Sequence, residues 1–161
     1  LALELGFTGM KFAVDDVTKT PTDVTPDMVI SLHACDIATD IVINTAIRLS
    51  ARVILSTPCC HRYLNDKISA EDLAFVTDYP HLKNKLCEAI TDAIRAERLK
   101  CAGYSVSVME LTDPDDTPKN TLIRAIKKNT AERVLSERQE NYEKLLSFIL
   151  GDGKENYLKG L

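Results

Sequence analysis

The chain has 161 residues, of which 45% are hydrophobic and 27% are charged, so its length suits one domain with a buried core. Its net charge is −4 and its isoelectric point is near 5.4, so nucleic-acid binding would need a local basic patch or a further module. The apolar runs are shorter than the roughly 20 residues of a membrane helix, and residues 1–12 lack signal-peptide features, so we expect no membrane segment.

Strands and helices are predicted to alternate along the chain, because buried apolar runs alternate with segments of helical periodicity. The predicted elements of the first half are the end of a helix over 1–7, a strand over 10–17, a polar loop over 18–27, a buried strand over 28–35, a helix over 37–49, a buried strand over 51–60 and a short capped helix from 69. Those of the second half are a helix over 81–102 that Gly103 ends, strands over 104–111 and 121–127 around a turn-rich loop, an amphipathic helix over 131–150 that Gly151 ends, and a loosely held tail over 152–161.

This order predicts an α/β fold with a parallel sheet and helices on both of its faces. The strands over 104–111 and 121–127 have no helix between them. We therefore expect them to form an antiparallel hairpin at one edge of the sheet.

Three successive predicted strands end in polar or thiol side chains. These residues are Asp15 and Asp16, then His33, Cys35 and Asp36, then Cys59, Cys60 and His61. Ligands of open α/β sheets bind outside the carboxyl ends of the strands, so we expect these side chains to share one crevice. Simpler interpretations stay open: Asp36 as a helix cap, Cys35 as a small buried side chain, and the two N-terminal carboxylates as solvated turn residues.

The remaining thiols and imidazole are predicted to be structural. His81, Cys87 and Cys101 lie on or next to one long helix without evident partners. The five cysteines are an odd number with two adjacent members, which does not suggest a disulfide framework. This usage favours a reducing compartment, and we expect the protein to be cytoplasmic.

The motifs "SLHACDIATD" and "PCCHRYLN", with "DAIRAERLKCAGY" and "TPKNTLIRAIK", resemble the class I S-adenosylmethionine-dependent methyltransferases. More narrowly, they are similar to an RNA methylase branch and to the tRNA ribose methyltransferases. The resemblance covers residues 1–128 and implies the C-terminal portion of a Rossmann-like, doubly wound, mostly parallel sheet with an antiparallel edge hairpin. Residues 129–161 would then be a C-terminal amphipathic helix and tail.

The family's first strands and glycine-rich cofactor loop are not found in this sequence, where the six glycines are scattered. The resemblance therefore implies a partial methyltransferase domain whose partner is a missing N-terminal part of the same protein. Such a fragment is expected to bind S-adenosylmethionine weakly or not at all on its own. Its substrate in the intact protein is expected to be RNA, with a small molecule or a protein as open alternatives. The oligomeric state stays open.

The resemblance also implies roles for the strand-end residues. Asp15 or Asp16 would accept a hydrogen bond from the adenine amino group of the cofactor. Leu32 and His33 would lie beside the cofactor at the end of the family's fourth strand. The residues implied for catalysis are His33, Cys35, Asp36, Cys59, Cys60 and His61.

The catalytic roles depend on the atom that is methylated. For a ribose hydroxyl, His61, His33 or Asp36 could take the proton. For a pyrimidine carbon, Cys59 or Cys60 could act as a covalent nucleophile.

Two interpretations of other classes remain. In a metal-binding module, zinc ligands could come from His33, Cys35, Cys59, Cys60 and His61. Their spacing differs from the usual Cys-x₂₋₄-Cys pairs, so no metal is predicted. Alternatively, the helix over 131–150 could form the partner surface of a non-catalytic assembly domain.

Overall fold

The computed structural model describes residues 1–14, 16–20, 23, 25–68, 70–113, 117 and 119–159, and it is an α/β structure. Its strands are β1 (Met28–Leu32), β2 (Val53–Thr57), β3 (Tyr104–Glu110) and β4 (Thr121–Lys127). Its α-helices are α1 (Ile37–Arg48), α2 (Arg62–Asn65), α3 (Ala74–Thr77), α4 (Pro80–Cys101), α5 (Glu132–Leu150) and α6 (Lys154–Lys159). Short 3₁₀ segments lie at Val17–Lys19, Glu71–Leu73 and Gly151–Gly153.

The four strands form one mixed sheet in the order β1-β2-β4-β3. β1 and β2 are parallel, with Met28 opposite Val53 and Leu32 opposite Thr57. β4 is antiparallel to both β2 and β3. The predicted antiparallel pair is confirmed, since β3 and β4 pair with each other. β4 also pairs with β2 and so connects the pair to the rest of the sheet. Across the described strands the sheet is mixed and not mostly parallel, because only the β1–β2 pairing is parallel.

Strands β1 and β2 are joined through α1 as a β-α-β unit, which makes both strands end at the same edge of the sheet. The apolar stripe of α1 packs on the sheet through Ile43 and Ala46, which are fully buried beside Ile54 of β2. This unit fixes the position of the two loops that follow the strands. Those loops carry the predicted site residues.

The core has two apolar clusters that meet at α4. The first lies between the sheet and the helices α1 and α4; its buried members are Ile43, Ala46, Ala51, Ile54, Leu99, Tyr104, Ile123 and Ala125. The second lies among α2, α4, α5 and α6; its buried members are Leu64, Cys87, Ile94, Tyr142, Leu146, Ile149, Leu150 and Tyr157. The long helix α4 therefore separates the sheet from the C-terminal helices.

The opposite face of the sheet is open along β1. Side chains alternate between the two faces of a strand, and Ser31 of β1 is buried on the face that α1 and α4 cover. The alternate residues Met28, Ile30 and Leu32 are 48%, 57% and 67% exposed. In the described residues, the helices that pack against the sheet core come from one side only, so helices on both faces are not observed.

Glycines end α4 and α5 as the sequence predicts. Gly103 has φ +85°, a left-handed conformation in which a side chain would be strained, and it turns the chain directly from α4 into β3. Gly151 has φ 50° and ends α5. The predicted bounds of both long helices agree with the structure to within about one residue.

The predictions for the N-terminal segment are wrong within the described residues. Residues 1–7 form hydrogen-bonded turns and no regular helix, and residues 10–14 and 16 form no strand. A strand needs a hydrogen-bonded neighbour, and the exposed outer edge of β1 receives none from this segment. Asp16 instead begins the 3₁₀ segment Val17–Lys19, with its carboxylate accepting a hydrogen bond from Thr18 N.

The prediction of a loose tail is also wrong. The helix α6 packs onto the second core cluster, and Tyr157 is only 1% exposed. Its ring lies 5.3 Å from the ring of Tyr63, whose hydroxyl donates a hydrogen bond to the Tyr157 carbonyl. The predicted helix from Ser69 begins outside the described residues. After that position the chain forms the 3₁₀ segment Glu71–Leu73 and then α3.

Candidate functional site

The loops after β1 and β2 meet at one edge of the sheet, as the sequence predicts. Cys35 lies in the first loop and the adjacent Cys59 and Cys60 lie in the second. The Sγ atoms of Cys35 and Cys59 are 4.0 Å apart, and Cys60 Sγ lies 3.8 Å from each of them. Two parallel strands that end in register are the cause of this meeting, since Leu32 pairs with Thr57.

The loop over 33–36 is held by hydrogen bonds at both ends. The His33 N–H donates to the carbonyl and the hydroxyl of Thr57, at 3.1 and 3.2 Å. His33 and Asp36 have φ of 52° and 48°, positive values that are uncommon for residues other than glycine. Such backbone conformations persist only where surrounding contacts enforce them. Leu32, His33 and Cys35 lie exposed in this part of the chain, at the sheet edge.

Asp36 begins α1 but does not cap it with its side chain. Its positive φ turns the carboxylate away from the first turn of α1, which receives no side-chain cap. The Asp36 Oδ2 atom instead accepts a hydrogen bond of 2.9 Å from the backbone N–H of Tyr63. This contact ties the loop after β1 to the start of α2. The alternative interpretation as a cap of its own helix is therefore wrong.

His61 belongs to a buried network of charged side chains. Its Nε2 atom lies 2.9 Å from Oδ1 of Asp92, and the His61 side chain is 4% exposed. The same Asp92 oxygen lies 3.2 Å from Arg95, which also bonds both carboxylate oxygens of Asp40 at 3.1 and 2.7 Å. Arg95 donates to the Asp36 carbonyl as well, at 2.8 Å, so the network supports both loops of the site.

The electrostatics of this network favour the charged form of its arginine. Burial alone lowers the pKa of Arg95, but the hydrogen bonds and charges of Asp40 and Asp92 outweigh it and raise that pKa above its ordinary value. Asp92 is a carboxylate acceptor, so in its neutral form the His61 ring would donate its Nε2 proton to it. The Nδ1 atom of His61 is then the acceptor, and it is buried without a hydrogen-bond partner in the described part of the chain.

The surroundings of Cys59 favour its protonated thiol. Desolvation, followed by the contacts with Cys60 and Cys35, raises the pKa of Cys59 to about 11. A thiol nucleophile reacts as its thiolate, so the apo geometry does not activate Cys59 for attack. All five cysteines are free, and burial raises the pKa of Cys87 and Cys101, which lie on α4 outside the cluster of three thiols.

An open cavity of about 310 Å³ lies beside the second loop. The residues that line it are Cys59, Cys60, His61, Arg62, Asn65, Asn84, Glu88 and Lys119. Glu88 and Lys119 form an ion pair across it. The cavity exposes two of the three thiols, and His61 forms part of its wall.

One comparison with known proteins points to an enzyme class. Residues 1–67 match a family model described as "Methyltransferase domain". This match supports the methyltransferase superfamily, and it includes β1, α1, β2 and both site loops.

Two curated relatives share weaker similarity. They are the "Glutathione S-transferase C-terminal domain-containing protein" of Macaca fascicularis and of Homo sapiens, each 24% identical over 119 residues. The match covers 58% of this chain and 19% of each relative, so the chain spans about a fifth of their length. No solved structure matches the chain. Of the helices that the structure describes, none has the length and apolar character of a membrane span.

The structure does not bring Asp16 to this site. Arg48, in the last turn of α1, donates to the carbonyls of Thr18 and Thr20, which places the 3₁₀ segment at that end of the helix. The site lies at the other end of α1, about 18 Å away for a helix of 12 residues. Asp15 lies outside the described residues.

Sequence reasoning missed Asp40, Asp92 and Arg95, which orient His61 and the first loop. One signal was present in the sequence, because Asp92 and Arg95 lie three residues apart on α4 beside apolar residues of the buried stripe. Charged residues are seldom buried unless they are paired. His81, predicted to be structural, lies exposed in the first turn of α4.

Proposed function

We propose that this chain forms the acceptor side of an S-adenosylmethionine-dependent methyltransferase domain that acts on RNA. The observation that carries the proposal is the match of residues 1–67 to a methyltransferase domain, combined with the meeting of its two strand-end loops at one edge of the sheet. Methyl transfer depends mainly on in-line positioning of the acceptor in a desolvated site. Two loops fixed by buried hydrogen bonds supply such positioning.

His61 is the base that the geometry favours. Asp92 holds its Nε2–H, so the Nδ1 lone pair is left to accept a proton from an acceptor hydroxyl. Asp36 is less suited because its carboxylate accepts the Tyr63 N–H, and His33 is exposed on the rim of the site. His33 and Leu32 are therefore proposed to contact the cofactor.

A ribose hydroxyl is the acceptor that these groups fit best. The alternative, a pyrimidine carbon, requires a reactive thiolate at Cys59 or Cys60. Burial and the neighbouring thiols raise the pKa of Cys59 to about 11, which opposes that route. Oxygen methylation needs only a base near the hydroxyl. The cysteines then line the site without attacking the substrate.

The proposal includes a second part of the same protein that completes the sheet and the cofactor site. The outer edge of β1 pairs with no other strand of the described residues, and Met28, Ile30 and Leu32 expose apolar side chains on the open face. A further parallel strand and helix would cover them, as in a Rossmann-like, doubly wound sheet. Asp16 is not assigned to adenine in this arrangement. Five free cysteines support a cytoplasmic site of action.

Binding of S-adenosylmethionine tests the proposal. Calorimetry compares this chain with a version extended by about 80 to 100 upstream residues, the length of two further strand–helix units. We expect clear binding by the longer version and weak binding by the shorter one. Equal, strong binding would contradict the placement of the cofactor determinants, and no binding by either version would contradict the proposal itself.

Transfer of a labelled methyl group tests the substrate. The extended protein is incubated with total RNA or a mixed protein extract and with S-adenosylmethionine that carries a tritiated methyl group. We expect the label in RNA, and nuclease digestion should release it on 2′-O-methylated nucleosides. Label on protein alone would reject RNA as the substrate while leaving methyl transfer intact.

A further inference from the structure

Three thiols from two separate loops form a nearly equilateral triangle at the edge of the sheet. Their Sγ atoms are 3.8, 3.8 and 4.0 Å apart, far more than the roughly 2.05 Å of a disulfide. Among the described residues, this is the group of Cys, His and carboxylate side chains whose ligand atoms cluster closely enough to hold one ion. We propose that Cys35, Cys59 and Cys60 bind a soft divalent cation of the zinc class.

The spacing of the sulfurs fits a metal ion without rearrangement. A circle through the three atoms has a radius of about 2.2 Å, and zinc–thiolate bonds are about 2.3 Å long. An ion bonded equally to the three sulfurs would thus lie about 0.5 Å outside their plane. Tetrahedral zinc places its thiolates about 3.8 Å apart, which is the distance that two sides of the triangle show.

The backbone holds this triangle in place. Cys35 lies between His33 and Asp36, whose positive φ values are maintained by bonds to Thr57, Tyr63 and Arg95. Cys59 and Cys60 follow the buried Pro58 at the end of β2. A preformed ligand set loses little conformational entropy when it binds an ion.

A ligand role explains why three thiols from two loops lie so close together. Close thiolates repel one another, whereas a divalent cation between them reverses that repulsion. Each thiol that binds would release its proton to solvent, so three bound thiolates and one Zn²⁺ carry one net negative charge. Thiolate ligands select zinc over the oxygen-seeking ions Mg²⁺ and Ca²⁺.

The fourth position of the ion would be open. His61 Nε2 is already bonded to Asp92, and the described residues add no fourth ligand atom to the three sulfurs. Cys59 and Cys60 line the cavity of about 310 Å³, so water or a substrate atom can reach the ion from there. Three protein ligands with an open position are typical of reactive and not of purely structural zinc sites.

Cobalt binding tests this site independently of methyl transfer. The full chain is stripped with a chelator under a non-thiol reductant and titrated anaerobically with Co²⁺, which reports thiolate ligation through a near-ultraviolet charge-transfer band. We expect one Co²⁺ per chain, displaced by Zn²⁺. Cys35→Ser and Cys60→Ser should each weaken binding by about 10-fold or more. Cys35 is exposed, so its replacement leaves the core intact.

Cys101→Ser is the matched control, since Cys101 is a half-buried thiol outside the triangle, and it should bind Co²⁺ like the unchanged chain. Circular dichroism confirms the fold of each variant. The proposal is overturned if the reduced chain shows no thiolate–cobalt band, or if Cys35→Ser and Cys60→Ser bind as the control does. A disulfide from Cys35 to Cys59 or Cys60 in protein purified without reductant, with no metal bound after reduction, would also overturn it.

Discussion

Asp92 on α4 accepts a hydrogen bond of 2.9 Å from Nε2 of His61 in the loop after β2, and both side chains are buried. The same carboxylate contacts Arg95, which reaches Asp40 on α1 and the carbonyl of Asp36. The site is therefore built into the core, because the residues that orient its imidazole also join α1 to α4. The geometry of the site and the stability of the fold are expected to depend on the same network.

Replacing Arg95 with methionine should destabilise the protein by about 3–5 kcal/mol. Arg95 is 1% exposed, and its removal would leave the buried carboxylates of Asp40 and Asp92 without their cation. Methionine keeps much of the side-chain volume, so the loss would reflect the charges more than a cavity. Urea denaturation followed by circular dichroism measures the change in the free energy of unfolding.

Arg52→Met is the control for this experiment. Arg52 also pairs with an aspartate, Asp27, but their side chains are 76% and 88% exposed. Solvent-exposed pairs contribute about 0–1 kcal/mol, so this variant should unfold near the wild-type midpoint. Similar, small losses in the free energy of unfolding for Arg95→Met and Arg52→Met would mean that the buried network does not stabilise the fold.

If the proposed function holds, His61→Gln should reduce methyl transfer by the extended protein by about 10²–10⁴-fold, which is the usual contribution of a general base. The change should appear in kcat while KM for RNA stays close to wild type, since the imidazole is buried beneath the site and not on its surface. Labelled methyl transfer at several RNA concentrations separates the two constants. His81→Gln, on the exposed first turn of α4, is the matched control. Equal activities for the two variants would remove His61 from the chemistry.

The elements near the site could be predicted from sequence because their signals are local. Strong apolar runs bounded by turn residues gave β1 and β2, and helical periodicity with a closing glycine gave α4 and α5. Parallel strands joined by one helix must end at the same edge, so the meeting of Cys35 with Cys60 followed from topology.

The failures arise where structure depends on distant contacts. Residues 10–17 have the composition of a strand, but no strand of the described chain pairs with them. The tail has few apolar residues, and its order depends on the buried ring of Tyr157, which contacts Tyr63 far away in sequence. Neither the missing strand nor the packed tail can be predicted from a stretch of ten residues alone.

The buried ionic network could not be predicted for a similar reason. Asp40 and Arg95 are 55 residues apart, and their pairing depends on how α1 and α4 are rotated toward each other. Periodicity shows which face of a helix is apolar, but not that a charged residue beside that face has a buried partner. The role of Asp36 depended on its positive φ, which favours glycine over aspartate and so is not expected from the sequence.

Tyr157→Ala should destabilise the protein by about 3 kcal/mol or more, as large-to-small changes of buried aromatic residues do. The ring is 1% exposed and packs within the cluster that joins α2, α4, α5 and α6. Urea denaturation provides the measurement. Phe148→Ala, at a 52% exposed position of α5, should change stability by about 0.5 kcal/mol or less. A Tyr157 variant as stable as that control would mean that the tail is not part of the core.

Alkaline pH should destabilise the protein between about pH 10 and 12, partly through Tyr142. Burial raises the pKa of Tyr142 to about 12, whereas an unfolded tyrosine ionises near 10. The folded state therefore keeps a proton that the unfolded state loses, and stability present below pH 10 falls as pH rises through that window, by about 2 kcal/mol for this group. Between pH 8 and pH 11, Tyr142→Phe should lose less of its free energy of unfolding than wild type, as measured by urea denaturation. Tyr79→Phe, at a 61% exposed position, is the control and should lose as much unfolding free energy as wild type. Equal losses for the two variants would contradict the contribution of Tyr142.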